Sequence, residues 1–115
     1  MDERRSAPRL REETTILLYV LSEDTGGQRR GIPVLGLDIS TTGVRCRIAE
    51  FVPVDARLRM ELRLGKTGQE LSAVGNARWI NDLQNTELYE VGIEFDDRSP
   101  DFIKALEDYI QRRLM

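Results

Sequence analysis

The sequence predicts an all-β chain, a barrel or a sandwich of short antiparallel strands, followed by one C-terminal helix. Two observations carry that prediction. Apolar and polar residues alternate at a period of two through several stretches of five to eleven residues, with turn residues between them. After Ser99 the apolar spacing changes to that of a helix. The length of 115 residues suits one domain, large enough to hold a core without disulfides or a metal.

The first strand is read at Thr14–Leu21, a run of β-branched and apolar residues. Glu23 to Gly27 forms a turn or loop. A second strand runs from about Arg29 to Asp38, where Pro33 signals an edge or an irregularity. In the next, Val44, Cys46 and Ile48 face one side, and Arg45 and Arg47 the other. Residues 49–55 contain Pro53 and read as a connection. The clearest strand is Ala56–Leu64, with Leu58, Met60, Leu62 and Leu64 inward and Arg57, Arg59, Glu61 and Arg63 outward. Gly65 to Gly68 makes a hairpin loop. Glu70–Ile80 alternates again, with Leu71, Ala73, Ala77 and Trp79 on one face, and Asn81–Thr86 reads as a polar loop. A last strand holds Tyr89, Val91, Ile93 and Phe95 on one face. Ser99-Pro100-Asp101 is a helix start: a capping residue, proline at the first helical position, then an acid. Phe102, Ile103, Leu106, Tyr109, Ile110 and Leu114 form the apolar stripe of that helix, which is expected to cover an open part of the barrel or a second subunit. Arg112 and Arg113 sit at its end, where the helix dipole favours cations.

Composition removes several function classes. There is one cysteine and no histidine. A zinc site of the usual Cys/His kind is excluded, as are Ser-His-Asp and Cys-His catalysis. No phosphate loop of the G-x-x-x-x-G-K-S/T kind is present. The chain therefore reads as a non-enzyme, without cofactor or metal. Cys46 alternates with the core residues and reads as a small apolar side chain. The net charge of −3 argues against general nucleic-acid binding, which normally needs a basic domain. No apolar run is long enough to span a membrane and no signal peptide is visible, which leads to the expectation of a cytoplasmic protein. Of the 17 cationic residues only Lys66 and Lys104 are lysine. Arginine is the cation that recognises phosphate through a planar fork, although a high-GC genome also enriches it.

Two short stretches carry the functional reading. Arg5 and Arg9 write R-x-x-x-R in an N-terminal arm, residues 1–12, that lacks apolar periodicity; residues 13–115 make up the barrel and its helix. Asp38-Ile39-Ser40-Thr41-Thr42-Gly43 writes D-x-S-x-x-G. Arginine forks can pair with phosphate oxygens and stack on purines. A carboxylate such as Asp38 can accept two hydrogen bonds from the Watson–Crick edge of guanine, and Ser40 can donate or accept. Gly43 leaves room for a close approach or permits a positive φ. Each stretch alone is ordinary, the first as a solvated terminus and the second as a turn.

In order and separation, these features resemble the PilZ domain family. The matching residues are Arg5-Ser6-Ala7-Pro8-Arg9, Asp38 to Gly43, Ala77-Arg78-Trp79, and Val91-Gly92-Ile93-Glu94-Phe95. The resemblance implies a six-stranded antiparallel β-barrel with a helix at one end, and a receptor for cyclic di-GMP. It implies that Arg5 and Arg9 hold phosphates and stack on guanine, that Asp38 and Ser40 contact a guanine and its phosphate neighbourhood, and that Gly43 permits the approach. Trp79 resembles the position that walls the site, or it is a core residue of the barrel. Arg4 is similar to the residue that serves an intercalated ligand dimer. The expected output is a relay to an unidentified downstream protein, by an arm that is mobile when free and ordered by the ligand. The start at Met1 and the single domain suggest a stand-alone receptor, a monomer or weak homodimer. Two other readings stay open: a protein-interaction adaptor of the same fold that ignores the nucleotide, and an oligonucleotide-binding barrel using Arg45, Arg47, Arg57, Arg59 and Arg63. Against the last stand the acidic pI of about 5.1 and the low aromatic content of 6%.

Overall fold

A computed structural model describes residues 8–21, 31–65, 67–96 and 99–114. Six strands, β1 (Thr14–Val20), β2 (Ile32–Ile39), β3 (Gly43–Ile48), β4 (Arg57–Arg63), β5 (Glu70–Leu83) and β6 (Leu88–Phe95), precede one helix, α1 (Pro100–Leu114). The strands close into a barrel in the order β1-β2-β3-β6-β5-β4, with β4 returning to β1. Every pairing is antiparallel. The alternation read in β3 and β4 holds: Val44, Cys46 and Ile48, and Leu58, Met60 and Leu62, are buried, with Arg45, Arg47, Arg59 and Glu61 between them on the outside. Burying a large aliphatic side chain stabilises a fold by roughly 1.5–3 kcal/mol. These stripes are therefore the main source of the barrel's stability.

The proline in β2 sits where it does least harm. Pro33 faces Leu17 of β1, while β3 joins β2 only from Leu35 onward. Arg29 and Arg30, which open the strand predicted from sequence, lie outside the described residues.

Two irregularities break the alternation. In β2 the register shifts between Gly36, opposite Cys46, and Asp38, opposite Arg45. Two steps on β2 thus meet one on β3, which is a β-bulge, and a bulge re-aims the side chains beyond it. Gly36 shares the inward face with Cys46; Asp38 shares the outward face with Arg45. In β5 the shift falls between Ala77, opposite Ile93, and Trp79, opposite Gly92. Ala77 is buried, whereas Trp79 is 39% exposed and lies on the outer face. The reading that put Trp79 on the face of Leu71, Ala73 and Ala77 is therefore corrected, because the bulge at Arg78 reverses the parity.

The predicted loop at Asn81–Thr86 is also shorter than expected. β5 continues to Leu83, and Asn81, Asp82 and Leu83 pair with Glu90, Tyr89 and Leu88. Polar residues hold a strand here because the backbone ladder is satisfied and their side chains face solvent. The turn occupies 84–87, where Asn85 takes φ 66°, a left-handed conformation that asparagine tolerates.

The helix begins as read. The Phe102 N–H donates to Ser99 Oγ at 3.2 Å, an N-cap. Phe102, Leu106, Tyr109 and Ile110 are buried and join the core cluster of the barrel, so α1 covers the barrel itself. Phe102 meets Phe95 of β6 edge to face, with centroids 5.2 Å apart. No described helix is long and apolar enough to cross a membrane.

Candidate functional site

The site starts from the chain just before the barrel. Leu10 makes a two-way backbone bridge with Ile39: its N–H donates to the Ile39 carbonyl at 2.8 Å, and the Ile39 N–H donates back at 3.0 Å. Its side chain is 6% exposed and belongs to the core. One buried leucine thus fastens the arm beside the last residues of β2, and Arg9 lands next to the D-x-S-x-x-G segment. The Arg9 Nε donates to Asp38 Oδ1 at 2.5 Å and its Nη1 to Ser40 Oγ at 3.2 Å. Arg9 is seated by the chain's own contacts, where the sequence reading expected the ligand to seat it. Arg4 and Arg5 lie outside the described residues.

Asp38 is 5% exposed although it stands on the outer face. Its burial comes from the two arginines against it. Arg45 Nε donates to the second oxygen, Oδ2, at 2.8 Å. A buried carboxylate is costly unless paired and hydrogen-bonded, and here each oxygen has its own guanidinium. Arg45 in turn reaches Glu90 of β6 through Nη1 at 3.0 Å, and Glu90 lies 4.0 Å from Arg47 Nε. Hydrogen bonding to Asp38, and then to Glu90, holds Arg45 charged even above the usual guanidinium range, against a loss of hydration.

Ser40 is fully buried and fully engaged. Its Oγ accepts from Arg9 and from the Thr42 N–H, at 3.1 Å, and lies 2.9 Å from Thr42 Oγ1. A hydroxyl has two acceptor lone pairs and one proton. With both lone pairs taken, Ser40 donates its proton to Thr42. The Ser40 N–H donates to the Gly43 carbonyl at 2.9 Å, closing the turn. Gly43 pairs with Glu94 across β3–β6, and a methyl group added to it would overlap the Ile93 carbonyl oxygen. The fold itself therefore requires a glycine at this position, before any ligand is considered.

Trp79 completes the arrangement. Its indole lies over Gly92 of β6, so closely that a side chain at 92 would overlap the ring. Arg9, Gly43, Arg45, Arg78, Trp79 and Glu94 line one open cleft of about 330 Å³. That volume is at the small end of ligand sites. Arg78 pairs with Glu94 at 3.3 Å on the rim. The structure thus brings Arg9, Asp38, Ser40, Gly43 and Trp79 together at or beside one cleft. The sequence reading had Arg45 only as one outward arginine among several, and did not place Arg78, Glu90, Gly92 or Glu94 in a site. Alternation signals that Arg45 faces out; only the bulge in β2 sets it opposite Asp38. Among the described residues, no group of histidine, cysteine or acidic side chains is arranged to hold a metal ion.

A family model for the PilZ domain matches residues 3–112. The chain belongs to the PilZ domain family. Solved PilZ-like structures superpose over nearly all of it. The PilZ domain of YcgR from Escherichia coli with c-di-GMP has a TM-score of 0.69 at 14% identity, covering 97% of this chain and 95% of that one. The inhibitor of motility MotI/DgrA of Bacillus subtilis has a TM-score of 0.76 at 20% identity, covering 98% of this chain. The MrkH–c-di-GMP complex of K. pneumonia has a TM-score of 0.73 at 19% identity, covering 99% of this chain. The chain spans about half the length of the last two, 52% and 53%. At such identities the likeness shows the PilZ fold. No curated protein matches the sequence.

Proposed function

We propose that this PilZ protein is a non-catalytic receptor for cyclic di-GMP, working in the cytoplasm and passing the binding event to a downstream protein. One observation supports it above the rest: the chain holds the Arg9 fork and the exposed Trp79 ring on the walls of a single cleft, beside the D-x-S-x-x-G turn. A cyclic dinucleotide presents two phosphates and two purine faces, and these are the groups that arginine forks and an indole face recognise. In this reading Arg9 and Arg5 take phosphate and stack on guanine, with Arg4 beside them. Asp38 and Ser40 stand behind Arg9, beside the cleft, and Trp79 is the aromatic wall. The family membership and the c-di-GMP complexes of YcgR and MrkH support the choice of ligand. The segment ahead of Arg9 closes on the ligand, and that altered surface is what the partner reads.

Calorimetry with cyclic di-GMP tests this directly. Binding at or below tens of micromolar, about −6 to −7 kcal/mol, is expected. No heat in that range would sink the assignment. Arg9→Ala and Arg5→Ala are each expected to weaken binding more than Arg45→Ala, and equal losses for all three would show that the cations are wrongly assigned.

A further inference from the structure

The D-x-S-x-x-G stretch and the arm account for Arg9, Asp38, Ser40 and Gly43, and leave out Arg45. Yet Arg45 touches the centre of the site. It stands opposite Asp38 in the β2–β3 register and takes Asp38 Oδ2 at 2.8 Å. From its other side Glu90 of β6 holds it at 3.0 Å. The charges therefore alternate along a line across three strands into the arm: Glu90, Arg45, Asp38, Arg9.

The arrangement has a geometric consequence. The terminal torsion of an aspartate is broad, so a carboxylate held at one oxygen can turn. A carboxylate with both oxygens open also invites a fork-on-fork pair with a single arginine. Arg45 removes both freedoms. With Oδ2 occupied, Arg9 meets only Oδ1, through Nε, and its Nη1 is left to reach Ser40. The plane of the Arg9 guanidinium at the cleft mouth is thus set by an arginine on a different strand.

We infer that Arg45, braced by Glu90, is a positioning residue that fixes the orientation of Arg9 through Asp38. Its effect on affinity rests on the cyclic di-GMP reading above; its effect on Arg9 does not. A preoriented guanidinium loses less freedom when it meets a phosphate, so the gain is one of preorganisation.

The test uses the full chain labelled with ¹⁵N. The Arg9 Nε–Hε correlation, assigned by its loss in Arg9→Lys, is followed before and after cyclic di-GMP is added, with calorimetry alongside. Arg45→Met is expected to shift and broaden the Arg9 signal before ligand is added, and to weaken binding about tenfold, the equivalent of one hydrogen bond to a charged group. Arg45→Lys keeps a charge but cannot bridge both carboxylates, so it recovers part of the loss. Glu90→Gln leaves Arg45 in place, gives an intermediate shift, and serves as the second variant should Arg45→Met fold poorly. Arg63→Ala, whose side chain pairs with Glu70 on the exposed surface, leaves both readouts unchanged. An Arg9 signal identical to wild type in folded Arg45→Met or in Glu90→Gln would overturn the inference. So would tighter binding by Arg45→Met, which would make Arg45 a competitor for Asp38. If the wild type gave no heat while the Arg9 signal still followed Arg45, the ligand assignment would fall and the positioning role would stand.

Discussion

Leu10 is the residue on which the seating of Arg9 depends, and it is predicted to control affinity without lining the cleft. Leu10→Ala removes the equivalent of three buried methylene groups from a side chain that is 6% exposed. At roughly 0.8 kcal/mol each, the loss is about 2.4 kcal/mol. The extra cost of a residual cavity is small here, because a segment near the chain end can detach instead of leaving a void. Detachment breaks the bridge to Ile39, with its hydrogen bonds of 2.8 and 3.0 Å, and carries Arg9 away from Asp38. Apparent affinity scales with the fraction of molecules whose arm is seated. If the wild type is barely more seated than free, a roughly fiftyfold shift in the seating equilibrium, at tenfold per 1.4 kcal/mol, lowers the seated fraction and the affinity by about 25-fold. Calorimetric titration of Leu10→Ala with cyclic di-GMP reads this, with urea denaturation to show that the barrel still folds. A Kd within twofold of wild type in a folded protein would refute the reasoning: the arm would then be delivered by the ligand and not by Leu10.

Three further outcomes come from single sites. Gly43→Ala drives a methyl group against the Ile93 carbonyl and should cost about 3 kcal/mol in urea denaturation, at the upper end of overpacking; Gly68→Ala meets open space at φ 73° and should cost about 1 kcal/mol. Burial, and then the field of Glu90, push the Cys46 thiol from 9.0 up to about 12. Its folded pKa lies above its unfolded one, so the unfolded chain loses its proton first as pH rises, and stability falls by about 1.4 kcal/mol per pH unit between about pH 9 and 12. A Cys46→Ser variant that keeps the full alkaline loss in that window would show that other groups cause it.

Much of the fold was legible because period-two alternation is a local signal. Leu58, Met60 and Leu62 face inward because nothing interrupts β4, and Ser99-Pro100-Asp101 marks the helix start because capping is local chemistry. Two of the errors share one physical source. A bulge adds a residue to one strand without any compulsory sequence mark, and it inverts everything beyond it. Trp79 was read with the inward face for that reason, and Arg45 could not be matched to Asp38. Leu10 was hidden differently. A single apolar residue between arginines has no periodicity, so only the tertiary bridge to Ile39 reveals that it is core. The composition of the site was readable in Arg9, Asp38, Ser40 and Gly43, whereas the order of contacts among them was not.

Closure of the barrel has a consequence for how a partner would read the proposed receptor. Each strand from β1 to β6 has a neighbour on both sides, so what edge remains lies at strand ends, as at Trp79–Leu83 of β5 beyond the β4 pairing. A partner that adds a strand of its own, one way of reading a sheet through backbone hydrogen bonds, finds no full-length edge to pair with. Most of what it can recognise is side chains: those of the outer face, the interstrand turns, the helix, or the arm in front of Leu10. Recognition of that kind depends on which side chains are displayed, and in the proposed receptor the segment carrying Arg4, Arg5 and Arg9 is where a ligand would change that display.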